Sequence, residues 1–389
     1  MAIIPSEIVK LFRERFHSNS EPGVYRAPGR VNLIGEHTDY NLGYVFPIAL
    51  EMACYAAIAP AEHGRLRVYS RDLNETYEIE ASAIAHAKPQ HQWSDYVIGV
   101  ACELSKAGIE ITPADLCVAS EVPTGSGLSS SAALEIATAV ALLGSQSMSK
   151  LDIALLGQRA ESQFVGVPCG IMDQYASVFG REQAAIQIDC RSLQHEYVRL
   201  PDDVSIVAVN SMVKHELGTS AYRERVAECQ EAVRAIQTVN PNVQSLRDVS
   251  PGFFEQIQNS IPEVPRRRAR HVISDTQRVL DLAAAARARD LPGMGRLFVA
   301  SHRSMQHDYE ISCEEIDFLV DTAIDIPGVY GARMTGGGFG GCTVNLVAPE
   351  AADTFRQYLH TAYLERYGKD AAFYNCKPAA GAGRMDVSG

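Results

Sequence analysis

The sequence predicts an α+β protein of two domains. Several long stretches place apolar residues at helical spacing, while short β-type runs sit between clusters of Gly, Pro and Asn. Strands and helices intermix without a strict strand–helix–strand rhythm, which disfavours a doubly wound parallel sheet. A length of 389 residues suits two or three domains of about 150 residues each.

Taken in order, SEIVKLFRERFH (residues 6–17) carries Ile8, Leu11, Phe12 and Phe16 at helical spacing after a Ser6 cap, so the chain opens with an amphipathic helix. From Gly23 to about Arg71, runs such as YVFPIALEMACYAAIA and RLRVYS alternate with turn residues and read as strands. Trp93 to Leu104 turns helical. DLCVASEV (Asp115 to Val122) reads as a strand, PTGSGLS as a tight loop, and SSAALEIATAVALLG as a helix ending near Gly144. After Leu200, SIVAVN is a buried strand and Ala221 to about Thr238 a charged amphipathic helix. Pro241 to Pro265 reads as loop-rich, RRRARHVISDTQRVLDLAAAARARD as a long helix, and CTVNLVA beyond a glycine run as a strand. The alternating pattern gives way to longer helices near residue 200, which places the domain boundary there: 1–200 and 201–389.

Composition excludes several classes of function. With 35 Lys plus Arg against 47 Asp plus Glu, the net charge is −12, and the one basic cluster (Arg266, Arg267, Arg268, Arg270) lies within a helix; nucleic-acid binding is disfavoured. No stretch reaches the ~18 uninterrupted apolar residues of a membrane span, and the first residues intersperse charges with apolar groups, so neither secretion nor anchoring is expected. Nine scattered cysteines without a CxxC pair read as reduced thiols of a cytosolic protein.

Four segments carry chemistry. APGRVNLIGEHTDYN (Ala27 to Asn41) presents Arg30, Asn32, Glu36, His37, Asp39 and Asn41 within a short span, a set suited to a polyhydroxylated ligand. The plainer alternative is a solvated loop with an Arg30–Glu36 surface pair; a zinc site lacks a fourth, distant partner. VPTGSGLSSSAALE (Val122 to Glu135) is a glycine loop feeding a helix, which aims unpaired N–H groups at one point where a phosphate is stabilised. No Lys follows it, so it is not a Walker loop. RMTGGGFGGCTVNL (Arg333 to Leu346) formally contains GxGxxG, but a β-type run follows instead of a helix, so the dinucleotide fingerprint is spurious and the glycines permit close backbone approach. AESQFVGVPCGIMDQYASVFG carries Glu161 and Asp173 on either side of a turn, one able to hold magnesium and the other to take a proton.

Together and in this order, the four segments resemble the GHMP small-molecule kinases, and GRVNLIGEHTDYN is similar to the galactokinase signature. The motifs run from Arg30 to Leu346. The resemblance implies a ribosomal protein S5 domain 2-like amino-terminal domain, a ferredoxin-like carboxy-terminal domain and an active site in the cleft between them. It implies that Gly127 to Ala132 wraps the phosphates of ATP, with Ser70, Trp93, Gly125, Ser126, Gly127, Leu128, Ser129, Ser130, Ser131 and Ala132 at the nucleotide. Ser131 and Glu161 would ligate Mg2+, Asp173 would be the catalytic aspartate, and Arg30 would hold it ionised and steady the developing oxyanion. Arg30, Glu36, His37, Asp39, Gly170, Asp173 and Tyr222 would contact the sugar, with Gly336 and Gly337 bringing backbone close to it.

The implied reaction moves the γ-phosphoryl group of ATP to the C1 hydroxyl of galactose. Related N-acetylgalactosamine and arabinose kinases, or a galactose- and ATP-sensing regulator without turnover, are the alternatives; such regulators can lack part of the serine loop, whereas Ser131 and Ala132 are present here. A cytoplasmic monomer, with weak dimerisation as its alternative, is expected. His215 and His307 are given no role.

Overall fold

The computed structural model describes residues 3–18, 20–214 and 218–386; His215 lies outside them. The first helix spans Pro5–Phe16, with Pro5 in the first turn, where its missing N–H costs nothing. It lays Ile8, Val9 and Phe12 on one face of a six-stranded sheet, against Ala53, Tyr55, Ala57 and Ala59. The intervening Cys54 and Ala56 point to the opposite face and join the main core, the period of two that a strand buried on both faces requires.

That sheet runs in the order Gly383–Met385, Gly23–Asn32, Pro47–Pro60, Ala114–Ser120, Arg65–Ser70, Glu75–Glu80. Only the Arg65–Ser70 and Ala114–Ser120 pairing is parallel. Its inner face is covered by helices Asp95–Lys106 and Ser130–Leu143, whose Val97, Val100, Leu104, Ile136 and Ala137 are buried. A three-stranded sheet of Tyr44–Val45, Ala184–Asp189 and Gln194–Arg199 flanks it.

Beyond residue 200 a four-stranded antiparallel sheet follows the order Val329–Thr335, Gly340–Val347, Ser205–Lys214, Ala372–Asn375. Val207 and Val209 face helices Glu314–Ile324 and Ala352–Tyr367 through Leu319, Val320, Phe355 and Leu359. Their neighbours Ile206 and Ala208 face the other way, into the same core that the amino-terminal sheet buries. The two halves therefore share one apolar interior. The division proposed near residue 200 falls between strands Gln194–Arg199 and Ser205–Lys214, and the last strand returns to pair with Gly23–Asn32.

One expectation needs correction. The stretch 241–265 is not mainly loop: it holds the helix Pro251–Ile257, capped by the Ser250 hydroxyl on the Phe253 N–H, and the first turn of the helix Glu263–Ala288. Two prolines hide the pattern because both sit in first turns, where proline is tolerated. Phe254 and Ile257 fill a satellite core with Val272, Met305 and Tyr309. Three arginines of the basic cluster on the next helix are paired within the protein: Arg267 on Glu310, Arg268 between Glu228 and Glu310, and Arg270 on Asp308.

Candidate active site

Arg30 lies on strand Gly23–Asn32, where that strand presses against the glycine loop. A Cβ at Gly29 would fall 2.6 Å from the Leu128 carbonyl, and the Arg30 N–H donates to that carbonyl at 3.1 Å. The buried guanidinium donates from Nε and Nη2 to both oxygens of Asp173, at 2.8 and 2.7 Å, and from Nη1 to the Gly127 carbonyl. One side chain thus fixes the candidate base and the phosphate loop together, in the two-pronged geometry that makes Arg–carboxylate pairs specific. The alternative of an Arg30–Glu36 surface pair is excluded.

Ser129 completes the grip on Asp173. It occupies the N-cap position of helix Ser130–Leu143 with φ of 62°, a left-handed conformation that costs a non-glycine residue about 1–3 kcal/mol. Its hydroxyl does not cap the helix; it donates to Asp173 Oδ2. The first N–H groups of the helix are left without a side-chain cap, as an anion site requires.

Asp173 opens onto a cavity of about 340 Å3 lined by Arg30, Glu36, His37, Asp39, Glu161, Gly170 and Tyr222, by Gly125 and Gly127, and by the glycine run Gly336 to Gly341. This is small-molecule size. Every residue expected at the sugar is brought to this wall. Close packing shapes it at Gly170, where a Cβ would sit 1.7 Å from Asp39 Oδ2. Burial, followed by the charge of Asp173, pushes the Asp39 carboxyl up to about 6. His37 has φ of 59°, its ring tilted against Tyr222 with centroids 4.8 Å apart.

Glu36 reaches the cavity from inside the protein. Its carboxylate pairs with Arg333, which is fully buried, and accepts the Gly336 N–H at 3.2 Å. Arg333 also donates to the Leu33 carbonyl at 2.7 Å. Burial raises the Glu36 carboxyl above the usual range, with Arg333 opposing. The pair ties the sugar loop to the glycine run.

Glu161 lies on a π-helical turn, Ala160–Val165, at the end of helix Lys150–Arg159, the type of helix defect found at functional sites. The Gln174 amide donates to Glu161 at 2.7 Å and to the fully buried Glu135 at 2.8 Å. Burial and neighbouring carboxylates push both glutamates up. The Ser131 side chain opposes the rise in the Glu161 carboxyl. Among the described residues, no group of three or more His, Cys, Asp or Glu is arranged to hold a metal ion.

The nucleotide expectations divide. Gly125 and Gly127 line the cavity in left-handed conformations. The Ser126 hydroxyl is used within the loop, donating to the Pro123 carbonyl at 2.7 Å, and Leu128 and Ala132 bury their side chains in the core, so these three offer only backbone. Ser130 and Ser131 open the helix, half-buried. Ser70 and Trp93 do not line the cavity: Trp93 donates its ring N–H to Glu75 at 2.7 Å, and the Ser70 hydroxyl accepts the Leu73 N–H. Sequence reasoning missed Arg333, three positions ahead of the glycine run, and Gln174, next to Asp173. It also missed Tyr40, three positions after His37. Tyr309 offers no local signal, because it arrives from a distant π-helical turn, Met305–Tyr309.

The galactokinase galactose-binding signature matches residues 10–60, the GHMP kinase amino-terminal domain residues 95–181 and the GHMP kinase carboxy-terminal domain residues 282–365. A galactokinase of Roseiflexus sp. is 46% identical over 381 residues, covering 96% of each chain. The chain belongs to the galactokinase family. A second galactokinase, from Chloroflexus aggregans, is 42% identical over 95% of each chain. The crystal structure of Lactococcus lactis galactokinase complexed with galactose superposes with a TM-score of 0.94 at 37% identity, covering 98% of this chain and 99% of that one. The S5-like and ferredoxin-like pairing of domains expected of a GHMP kinase is therefore the fold of this chain, with its cavity between the two glycine-rich loops. Among the described residues, no helix is long and apolar enough to cross a membrane.

Proposed function

We propose that this protein transfers the γ-phosphoryl group of ATP to the C1 hydroxyl of D-galactose, giving galactose 1-phosphate and ADP. The single observation that carries the assignment of roles is the convergence of Arg30 and Ser129 on Asp173 at the floor of a sugar-sized cavity. Phosphoryl transfer asks a protein mainly for positioning and for charge placed where charge develops. Asp173 accepts the proton of the C1 hydroxyl as that oxygen attacks phosphorus. Arg30 stays beside the reacting oxygen, where its charge stabilises the developing negative charge. Asp39 accepts hydrogen bonds from sugar hydroxyls, and Glu36 holds the glycine run against the sugar loop. Tyr222 packs over His37 at the wall. The uncapped start of helix Ser130–Leu143, with Ser129, Ser130 and the backbone of Gly125 to Ala132, receives the phosphates. Ser70 and Trp93 are proposed at the adenosine end on family resemblance alone.

The donor set suits Mg2+. Ser131 and Glu161 are hard oxygen ligands, and neighbouring carboxylates raise the proton affinity of Glu135 (from Glu161 and Asp173) and of Glu161 (from Asp173), the mark of a site short of positive charge. Two protein oxygens suffice where phosphates and water supply the rest. When bound, the ion neutralises phosphate charge. A cytoplasmic monomer is the proposed setting.

A coupled ADP-release assay across a panel of sugars tests the proposal. Galactose-dependent ADP production is the expected result; preferential turnover of N-acetylgalactosamine or arabinose, or saturable galactose binding without ADP, would replace it.

A further inference from the structure

The hydrogen bonds behind the sugar loop can be followed atom by atom. His37 Nε2 lies 3.2 Å from the Gly337 carbonyl oxygen, and its Nδ1 lies 2.8 Å from the Tyr40 hydroxyl. A carbonyl only accepts, so the proton must be on Nε2; placed on Nδ1, it would leave a nitrogen lone pair facing the carbonyl. The ring is neutral, since burial pushes its pKa down to about 3. Nδ1 therefore accepts, and Tyr40 donates to it. With its proton committed, the Tyr40 oxygen accepts from the Tyr309 hydroxyl at 2.7 Å. Tyr309, fully buried, accepts in turn from the Cys229 thiol at 3.1 Å. Each donor in this chain is fixed by the acceptor-only carbonyl at its far end.

We infer that Tyr40 and Tyr309 are positioning residues that set His37 as the Nε2–H tautomer, so that the ring holds the Gly337 carbonyl, and with it the glycine run, in place at the sugar wall. The inference rests on the galactose reading and deepens it: His37 ties the glycine run to the sugar loop on the cavity wall, and the relay keeps Nε2 from switching to an acceptor that would release the Gly337 carbonyl. His37 holds its left-handed backbone among three tyrosine rings, those of Tyr40, Tyr222 and Tyr309, so the ring has no freedom to choose another partner.

The test combines nitrogen-15 NMR of the histidine side chains with steady-state kinetics, on the full chain and on its Tyr40→Phe and Tyr309→Phe variants. His37→Gln serves only to assign the His37 signals. The expected wild-type spectrum shows a protonated Nε2 and an unprotonated, hydrogen-bonded Nδ1. Tyr40→Phe loses the Nδ1 hydrogen-bond signature and raises the galactose KM about fivefold to tenfold, the effect of one lost hydrogen bond, with kcat and the ATP KM held within about twofold. Tyr309→Phe moves the same readouts less, because Tyr40 can still donate. A wild-type proton on Nδ1, or a folded Tyr40→Phe variant with unchanged galactose KM, overturns the relay. If a variant fails to fold, the wild-type spectrum decides alone. A chain that carries the proton on Nε2 but forms no ADP with galactose refutes the functional proposal and upholds the tautomer. Galactose phosphorylation with the proton on Nδ1 does the reverse.

Discussion

Glu36 and Arg333 meet as an ion pair inside the protein, one from the sugar loop and the other from the strand that leads into the glycine run. Both are almost completely buried. Removing one partner leaves an uncompensated buried charge, which costs about 3–5 kcal/mol. Arg333→Met should therefore lower the urea midpoint by a corresponding amount, and adding Glu36→Gln should recover part of the loss. A single variant within about 0.5 kcal/mol of wild type would show that the pair is not structural.

Gly170 and Asp39 permit a cleaner separation of stability from binding. A Cβ at position 170 would collide with the end of the Asp39 side chain, which can swing aside. Gly170→Ala should fold with a near-normal melting temperature while its galactose KM rises roughly tenfold, about the effect of one misplaced charged hydrogen bond. The ATP KM should stay close to wild type.

The raised carboxyl of Asp39 gives a pH dependence with a definite sign. Its ionised form accepts sugar hydroxyls, so galactose KM should climb as pH falls through about 6, by roughly tenfold near pH 5, when about a tenth remains ionised. Asp39→Asn should flatten that limb. Stability runs the other way: the folded state holds this proton more tightly than the unfolded chain, so the contribution is full below the ordinary value of 3.8 and is lost as pH rises through about 6.

Ser129 trades backbone comfort for its bond to Asp173. Ser129→Gly relieves the left-handed strain and should leave the melting temperature equal or higher, yet lower kcat several-fold by freeing the Asp173 carboxylate. Ser129→Ala should lose kcat similarly without the gain in stability. Unchanged turnover in both would assign the hydroxyl to phosphate alone.

Much of this was legible in the sequence, and for physical reasons. The helix Pro5–Phe16, the strand–loop–helix around Gly127 and the strand Ser205–Lys214 follow from local periodicity. The polar density of Ala27 to Asn41 marked the sugar loop before any contact was known. What the chain conceals is non-local. Nothing near Arg333 says that its partner is 297 positions away, and nothing near Tyr309 points to Tyr40. The return of Gly383–Met385 to the first sheet is a pairing of the same kind, set by topology and not by the three residues themselves. Pro251–Ile257 was concealed differently, by prolines that punctuate a loop and open a helix equally well.

The role of Asp173 is decided most directly by single-turnover phosphorylation of galactose with Asp173→Asn, which keeps a side chain of the same shape against Arg30, alongside a binding measurement for ATP. The expected result is a rate at least ~100-fold below wild type with ATP affinity retained. Phosphorylation at a near-normal rate would show that the sugar proton leaves by another route.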